Sequence, residues 1–405
     1  MKGGIYMTIF CVMKRSLCIC IIGGIVLLSF ISINMELFQA EESLRMYSGG
    51  YALMDGDTGR VLKGKDEKIP MANASTTKIL TCIVTLEKCD LEEMVTVSSN
   101  AASQPRVKMG IKAGAQYPLK DMLYGLMLES YNDCAVAIAE HVAGSTGNFA
   151  KILNDKAKAI GCKDTYFITP NGLDAEDEHG FHHTTAEDLC RMMAYCTWES
   201  PKKDLFLKIT QTRNYDAFVN RNSFLNQMEG VLTGKTGFTN KAGYCYVAAM
   251  ERNGERYCIA LLACGWPNNK TYKWKDARTL FEYGMETYDR RNVVIKSMEQ
   301  EILIDGFVGN SLFSMINRKG KLKLQTQDKE YQVLMNDDEK IETEIILYTD
   351  TKLPIKKGQN MGQCNLYLDD MYMDSIPLVA SDNVNIWGWK EILYTIFYQF
   401  LTFSL

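Results

Sequence analysis

Apolar positions recur at helical spacing in the middle of the chain, with short strand-like patterns on both sides. The helical pattern covers Thr77 to Cys89, Leu119 to Val142, Phe149 to Ile160 and Ala186 to Cys196. A β-hairpin pattern precedes it, and strand patterns resume at Val231 to Thr233, Gly243 to Met250 and Arg256 to Ala263. This order predicts one α/β (α+β) domain over residues 41–290.

A second domain follows, in which the helical spacing gives way to short alternating strands broken by turns. Examples are Val293 to Ile295, Lys321 to Leu324 and Glu344 to Tyr348. The pattern predicts a small all-β domain over residues 291–380. No acid/base pair or ligand cluster is visible in it, so we expect it to act as a spacer or an interaction surface.

The first forty residues have the features of an export signal. Lys14 and Arg15 precede an uncharged run from Ser16 to Asn34 that is rich in Ile, Leu and Val. This pattern is typical of a signal peptide or signal anchor, here placed in residues 1–40. We therefore expect an exported protein at the extracytoplasmic face of the cell membrane.

The last segment, residues 385–405, predicts an amphipathic helix. Trp387 and Trp389 stand at its start, and the uncharged stretch from Ile392 to Leu405 follows. As a helix that stretch is about 21 Å long, shorter than the roughly 30 Å hydrocarbon core of a bilayer. We expect a helix lying in the membrane interface, with a core helix packed on the β domain as the alternative.

Composition limits the partners and cofactors. The 405 residues are 46% apolar and 23% charged, enough for two folded domains, and the net charge of -4 with no basic stripe argues against a nucleic-acid partner. Of the thirteen cysteines, those beyond the signal segment lie mostly in apolar runs without CxxC spacing, which favours buried free thiols over disulfides and, last, metal ligands. His179, His182 and His183 lie beside acidic residues in a loop-like segment without i,i+4 spacing, so we predict no metal and no cofactor.

Three short motifs carry the candidate chemistry: Ser75-Thr76-Thr77-Lys78, Ser130-Tyr131-Asn132 and Lys235-Thr236-Gly237, the last followed by Phe238. Their order is that of an active-site serine acyltransferase of the penicillin-binding type. SxxK also occurs at Ser200, and SxN at Ser98 and Ser381. Helical spacing begins directly after Ser75, whereas Pro201 follows Ser200. Ser75 therefore fits the catalytic turn, and Ser200 to Lys203 is predicted to be a solvated loop.

The chain from Tyr51 to about Tyr288 resembles the D-alanyl-D-alanine carboxypeptidases, the low-molecular-mass penicillin-binding proteins. The resemblance includes Met71 to Thr81, Leu126 to Ala135, Thr169 to Asp174, Asn220 to Leu225 and Gly230 to Cys245. It implies a serine DD-peptidase/β-lactamase-like fold, with an antiparallel sheet backed by helices beside a helical lobe. The segment from Leu353 to Gly358 is similar to the C-terminal β domain of this family.

The resemblance also implies a function and a role for each motif residue. Members remove the terminal D-alanine from peptidoglycan pentapeptide stems and are inhibited by β-lactams. Ser75 would be the acyl-ester nucleophile, Lys78 its general base, made neutral by burial and by Lys235, and Ser130 the proton relay. Asn132 would orient Lys78 or the substrate amide. Substrate binding would involve Lys235, Thr236, Gly237 and Phe238, with Lys235 as an exposed cation that binds the terminal carboxylate. The backbone N–H groups of Phe238 and Ser75 would form the oxyanion hole.

One residue departs from the family pattern, and two other functions stay open. The middle residue of the second motif is usually small and here is Tyr131, which bears on cleft width and substrate preference. A serine β-lactamase would share the acylation motifs, but the region from Asp164 to Asp174 shows no E-x-x-L-N element for deacylation. A catalytically silent cell-wall binding protein is the other alternative, disfavoured because every motif residue is intact.

Overall fold

The computed structural model describes residues 44–305, 319–348, 353–384 and 388–402. By its internal contacts the chain divides into Met1–Ser48 and Gly49–Leu405. The predicted export signal in residues 1–40 and Trp387 lie outside the described residues. Within the described ranges, none of the helices combines the length and the apolar character needed to cross a bilayer.

A five-stranded antiparallel sheet forms the centre of the first domain, in the order β2-β1-β11-β10-β9. The strands are β1 (Gly50–Asp55), β2 (Val61–Lys65), β9 (Val231–Thr239), β10 (Gly243–Arg252) and β11 (Glu255–Leu262). Strands β10 and β11 are joined by Asn253 and Gly254, both at positive φ (55° and 83°), as in the tight hairpin turns that match strand twist. The predicted strands and hairpins are therefore present.

Both faces of the sheet are covered, and the alternation of side chains shows how. Met54, Val247 and Cys258 belong to the main apolar core, together with the helices that carry the first two motifs. The intervening residues face the other way: on that face Tyr257 and Leu53 lie against Gly284 of the helix Tyr272–Thr287. Because each face is packed, the central strands have nearly continuous apolar sequences.

The helical lobe lies between β2 and β9 in sequence. Its helices are α1 (Lys78–Lys88), α2 (Ser99–Ala102), α3 (Leu119–Tyr124), α4 (Asn132–Ala143), α5 (Thr146–Ile160), α6 (Ala186–Ala194) and α7 (Lys203–Gln211). A further helix, α8 (Tyr272–Thr287), follows β11 in sequence. Three short antiparallel strand pairs lie between the helices of the lobe or beside them. They are β3 (Met94–Thr96) with β4 (Gln116–Pro118), β5 (Glu176–Asp177) with β6 (Gly180–Phe181), and β7 (Asn214–Tyr215) with β8 (Phe218–Val219). The cysteines described are free thiols, and all except Cys89 and Cys162 are buried.

The second domain is all-β, as predicted. Its strands are β12 (Asp289–Ile295), β13 (Glu299–Asp305), β14 (Lys319–Gln325), β15 (Lys329–Met335), β16 (Ile341–Leu347), β17 (Asn360–Leu368) and β18 (Met371–Ala380). They form one sheet in the order β13-β14-β18-β17-β16 and a separate β12-β15 pair. Small apolar clusters fill this domain, one of them around Leu322, Leu324 and Leu378.

The final helix, α9 (Trp389–Thr402), presents large apolar side chains to solvent. Trp389, Leu393, Phe397 and Phe400 are all more than half exposed. Such a row of exposed aromatic and aliphatic side chains is unusual for a soluble surface and typical of an interaction site.

Candidate active site

Ser75 lies in a short 3-10 turn, Ala74–Thr77, that leads directly into α1. The turn begins with Ala74 at φ +49°, a left-handed conformation that needs support. Asn73 supplies part of it, because its Nδ2 donates to the hydroxyls of Thr76 and Thr77 at 3.0 and 2.9 Å. Gly172 packs so closely that a Cβ on it would lie 1.9 Å from the carbonyl oxygen of Ala74. These contacts fix the direction of the Ser75 side chain.

His182 supports the same turn through a hydrogen bond to Thr77. Its Nε2 lies 2.9 Å from Thr77 Oγ1, and its Nδ1 accepts from the backbone N–H of Ile168 at 3.0 Å. An accepting Nδ1 requires the neutral ring, and burial lowers the pKa of His182 to about 3. The sequence offers this histidine only as a metal ligand, whereas in the structure its ring holds Thr77.

Lys78 is fully buried directly beside the nucleophile. Its Nζ lies 2.7 Å from Ser75 Oγ and donates to Asn132 Oδ1 at 2.9 Å. Burial, and then the charge of Lys235, hold the pKa of the Lys78 amine well below its usual range. A neutral amine at this distance can accept the hydroxyl proton of Ser75.

Ser130 lies at a break between two helices, where the sequence pattern predicted one continuous helix. After α3 the chain forms a π-helical turn, Gly125–Glu129, and Ser130 then takes φ +66° before α4 starts at Asn132. The next residue, Asp133, secures the break: its carboxylate accepts from the backbone N–H groups of Met109 and Gly110 at 2.9 and 2.7 Å. A regular helix would direct Ser130 elsewhere, and hydrophobic spacing alone does not reveal such a break.

Lys235 is only 2% exposed, which corrects the expectation of an exposed cation at the cleft edge. Its Nζ donates to Ser130 Oγ and to the carbonyl of Thr236, both at 3.0 Å. Burial, and next the charge of Arg221, lower the pKa of Lys235 to about 7. Its strand, β9, lies at the edge of the sheet, where a side chain is usually exposed, but the helical lobe covers this one through Ser130.

The strand β9 approaches the nucleophile turn very closely at Gly237. A Cβ at this position would lie 2.8 Å from the backbone nitrogen of Ser75. Glycine is therefore required here for steric reasons. The next residue, Phe238, lines the same cavity as Ser75 and Thr236.

A cavity of about 490 Å³ opens over these residues. Ser75, Ser130 and Asn132 line it on the lobe side, and the β9 residues Thr236, Gly237 and Phe238 on the sheet side. Four cationic side chains also line it: Arg106, Arg221, Lys270 and Lys273. The lining carboxylate, Glu129, is bound by Arg221 at 2.6 Å. The cavity is thus suited to an anionic ligand, and these cations were missed because they come from distant segments.

The competing motif residues lie elsewhere. Pro201 and Lys203 are exposed, as predicted for the loop from Ser200 to Lys203, but Ser200 itself is buried and donates to Glu87 Oε1 at 2.7 Å. Ser200 does not line the cavity. The spacing of apolar residues along the sequence does not reveal this hydrogen bond to Glu87. Tyr131 does not line the cavity; its ring packs edge-on against Phe218 with 5.6 Å between centroids.

Comparison with known proteins gives a consistent result. Residues 37–263, more than half of the chain, match the family described as D-alanyl-D-alanine carboxypeptidase, and residues 315–385 match the penicillin-binding protein 5 C-terminal domain. The chain is 28% identical to the D-alanyl-D-alanine carboxypeptidase DacF of Bacillus subtilis over 360 residues, covering 84% of this chain and 87% of the relative. It is 32% identical over 239 residues to DacB2 of Mycobacterium tuberculosis, covering 58% of this chain and 81% of the relative.

A solved structure supports the architecture over both domains. The D-alanyl-D-alanine carboxypeptidase DacD of Francisella tularensis superposes with a TM-score of 0.63, covering 86% of this chain and 95% of that chain. At 24% identity this likeness concerns the fold. The predicted fold class, a DD-peptidase-like domain followed by a small all-β domain, is confirmed.

Proposed function

Because this chain belongs to the D-alanyl-D-alanine carboxypeptidase family, we propose that Ser75 forms the acyl-enzyme through which it removes the terminal D-alanine of peptidoglycan pentapeptide stems. The family resemblance seen in the sequence is confirmed, and the protein is a penicillin-binding serine DD-carboxypeptidase. The observation that carries the assignment of Ser75 is the buried Lys78 amine, 2.7 Å from the Ser75 hydroxyl.

Acylation follows from the positions of these groups. Lys78 takes the proton of Ser75 Oγ, and the oxygen attacks the carbonyl carbon of the penultimate D-alanine. The N–H groups of Ser75 and Phe238 stabilise the oxyanion of the tetrahedral intermediate. As the peptide C–N bond breaks, Ser130 passes its proton to the leaving amine and is reprotonated from Lys78 or Lys235. Free D-alanine leaves, and water then hydrolyses the ester to release the shortened stem.

The substrate carboxylate is recognised by positive charge on the sheet side of the cavity. Lys235, at the base of this side, and the hydroxyl of Thr236 bind the terminal carboxylate of a peptide aligned along β9. A β-lactam carries a carboxylate in a comparable position and acylates Ser75 in the same way. Arg221 adds positive charge and lowers the pKa of Lys235.

No observation favours the β-lactamase alternative. Efficient deacylation in the class A enzymes needs a glutamate that is free to activate water. Glu129 is the acidic residue among the described residues that line the cavity. Its carboxylate forms an ion pair with Arg221 and accepts a hydrogen bond from the backbone N–H of Val219 at 2.9 Å. A carboxylate engaged in this way is poorly placed to serve as a base.

We also propose that the enzyme acts outside the cytoplasm, at the membrane surface. Residues 1–40 provide the export signal, and α9 lies in the membrane interface with its exposed aromatic side chains in the lipid. The β domain then holds the catalytic cavity away from the bilayer, near its peptidoglycan substrate.

Two assays test this function. Incubation of the protein with a pentapeptide ending in D-Ala-D-Ala should release one equivalent of D-alanine per peptide. Fluorescent penicillin should label the wild-type protein and Ser200→Ala, but not Ser75→Ala. Labelling that survives in Ser75→Ala would refute the nucleophile, and labelling without D-alanine release would refute the carboxypeptidase activity.

A further inference from the structure

Three potential metal ligands of different chemistry meet on the helical lobe, outside the catalytic cavity. They are Cys89, Glu93 and His141, and their ligand atoms all lie within 4.8 Å of one another. We propose that these residues form a zinc site that joins the far ends of the two helices bearing Lys78 and Asn132. The sequence predicted no metal site, and no short motif connects these residues.

The three side chains come from two segments of the lobe, the loop between α1 and β3 and the end of α4. Cys89 follows the last residue of α1, Glu93 precedes β3, and His141 lies in the last turn of α4. Lys78 and Asn132 lie at the first residues of α1 and α4, so the cluster is at the opposite ends of the helices that form the active site. At 1.5 Å per residue, α1 places about 15 Å between the cluster and Lys78.

The geometry is close to that of a bound metal. His141 Nε2 lies 2.8 Å from Glu93 Oε2. Ligand bonds of roughly 2.0–2.3 Å in a tetrahedral arrangement place donor atoms about 3.3–3.8 Å apart. Metal binding would therefore require the nitrogen and oxygen to separate by about 0.5 Å, from 2.8 Å to roughly 3.3 Å.

The backbone that carries Glu93 is held in place before any metal binds. The Glu93 carbonyl accepts from the N–H of Leu119 at 2.9 Å, and its own N–H donates to Asp90 at 3.1 Å. The second carboxylate oxygen, Oε1, accepts from the N–H of Asp90 at 2.6 Å, which orients Glu93 Oε2 towards the histidine. Supporting hydrogen bonds of this kind are typical around metal ligands.

The donor set selects zinc. A thiolate, an imidazole and a carboxylate together suit Zn²⁺, whereas Mg²⁺ and Ca²⁺ prefer oxygen ligands only. Cys89 and His141 are partly buried, and the Glu93 side chain is 41% exposed. Of the three ligands, Cys89 lines a surface depression of about 420 Å³. Asp90 and Glu92 in the same loop add negative charge around it.

The test uses the purified full-length protein in detergent, stripped of metal with a chelator. Adding Zn²⁺ at about 100 times its Kd should raise Tm by about 5–10 °C, because the folded state alone presents the three ligands together. Co²⁺ in place of Zn²⁺ should give a thiolate-to-cobalt charge-transfer band, which reports Cys89 directly.

Matched variants locate the site. Cys89→Ser should abolish the cobalt band, and His141→Ala should remove most of the zinc-dependent rise in Tm. The controls are Cys162→Ser, which removes another partly exposed thiol, and His179→Ala, which removes an exposed histidine beside Glu178. Both controls should keep the full zinc response.

The proposal is overturned if the wild-type protein gives no cobalt thiolate band, or if Cys162→Ser loses the response while Cys89→Ser retains it. A folding defect is detected independently, because each variant is first melted without metal and labelled with fluorescent penicillin. Since the cluster lies outside the catalytic cavity, labelling of Ser75 should be the same in all four variants. Failure of the zinc proposal would leave the proposed carboxypeptidase function untouched.

Discussion

His182 should make this protein lose stability in mild acid through one identifiable side chain. The ring is buried and neutral, with Nδ1 accepting from the Ile168 N–H and Nε2 bonded to Thr77 in the nucleophile turn. Its pKa is about 3 in the folded protein, against about 6.5 when unfolded. Between these values the unfolded chain binds the extra proton, so stability is complete above pH 6.5 and falls as the pH drops towards 3.

The size of the effect follows from the two pKa values. Each pH unit in this window costs about 1.4 kcal/mol, so at pH 5 the loss due to His182 alone is about 2 kcal/mol. In a domain of this size that corresponds to a decrease in Tm of about 4–8 °C.

The assay compares thermal unfolding at pH 7.5 and pH 5.0 in the wild type and in His182→Asn. Asparagine keeps an acceptor close to the Nδ1 position, and Thr77 retains its bond from Asn73 at 2.9 Å. The variant cannot titrate, so its decrease in Tm should be smaller than that of the wild type by the 4–8 °C assigned above. Contributions from carboxylates change equally in both proteins and cancel in this difference.

His179→Asn is the matched control, because this histidine is exposed in the same segment. It should behave as the wild type at both pH values. An equal pH-dependent decrease in Tm for wild type and His182→Asn would refute the reasoning, since the ring would then not be held neutral by the fold.

Three further outcomes are expected. Lys235→Met, which keeps the buried volume, should lower the rate of acylation by carboxylate-bearing β-lactams by about 100-fold or more with a change in Tm of only a few degrees; stopped-flow acylation that stays at the wild-type rate would contradict its role. Ser200→Ala should leave penicillin labelling intact and lower the free energy of unfolding by about 1 kcal/mol, because Glu87 loses one donor. Phe397→Lys should detach the protein, freed of its N-terminal signal, from liposomes of uncharged zwitterionic lipid in sedimentation assays, whereas unchanged binding would place the membrane contact elsewhere.

The sequence predicted most of the fold because its central elements are buried on one or both faces. Strands such as β10 and β11 must be apolar to fill the space between α6 and α8, and that requirement is visible as an apolar run. The helices of the lobe were predictable for the same reason, because each buries an apolar face. Where a polar contact replaces apolar packing, the pattern misleads: it predicts a solvated Ser200, but the hydroxyl is buried against Glu87.

The site was predictable only in part, for a physical reason. Residues that act on the same substrate atom can be recognised by type and spacing. The structure brings Ser75 and Ser130 into one cavity, with the buried Lys78 amine 2.7 Å from the Ser75 hydroxyl. The supporting residues act through contacts between distant segments, as Asp133 does with the backbone of Gly110 at 2.7 Å. No local pattern records such contacts.

Two lysines, Lys78 and Lys235, are buried where the helical lobe meets the sheet. The polar partners of Lys78 and Lys235 are a serine hydroxyl, an amide oxygen and a carbonyl oxygen, and none of these neutralises an ammonium ion. Desolvation therefore favours the uncharged amine of Lys78, which costs stability but keeps a base beside Ser75. The pKa of Lys235, about 7, leaves part of that side chain charged near neutral pH. An added carboxylate would stabilise both ammonium ions and raise the pKa of Lys78, making the amine a cation unable to accept a proton. The absence of a carboxylate among these hydrogen-bond partners is thus a requirement of the chemistry, and the surrounding apolar packing supplies the stability that the buried lysines do not.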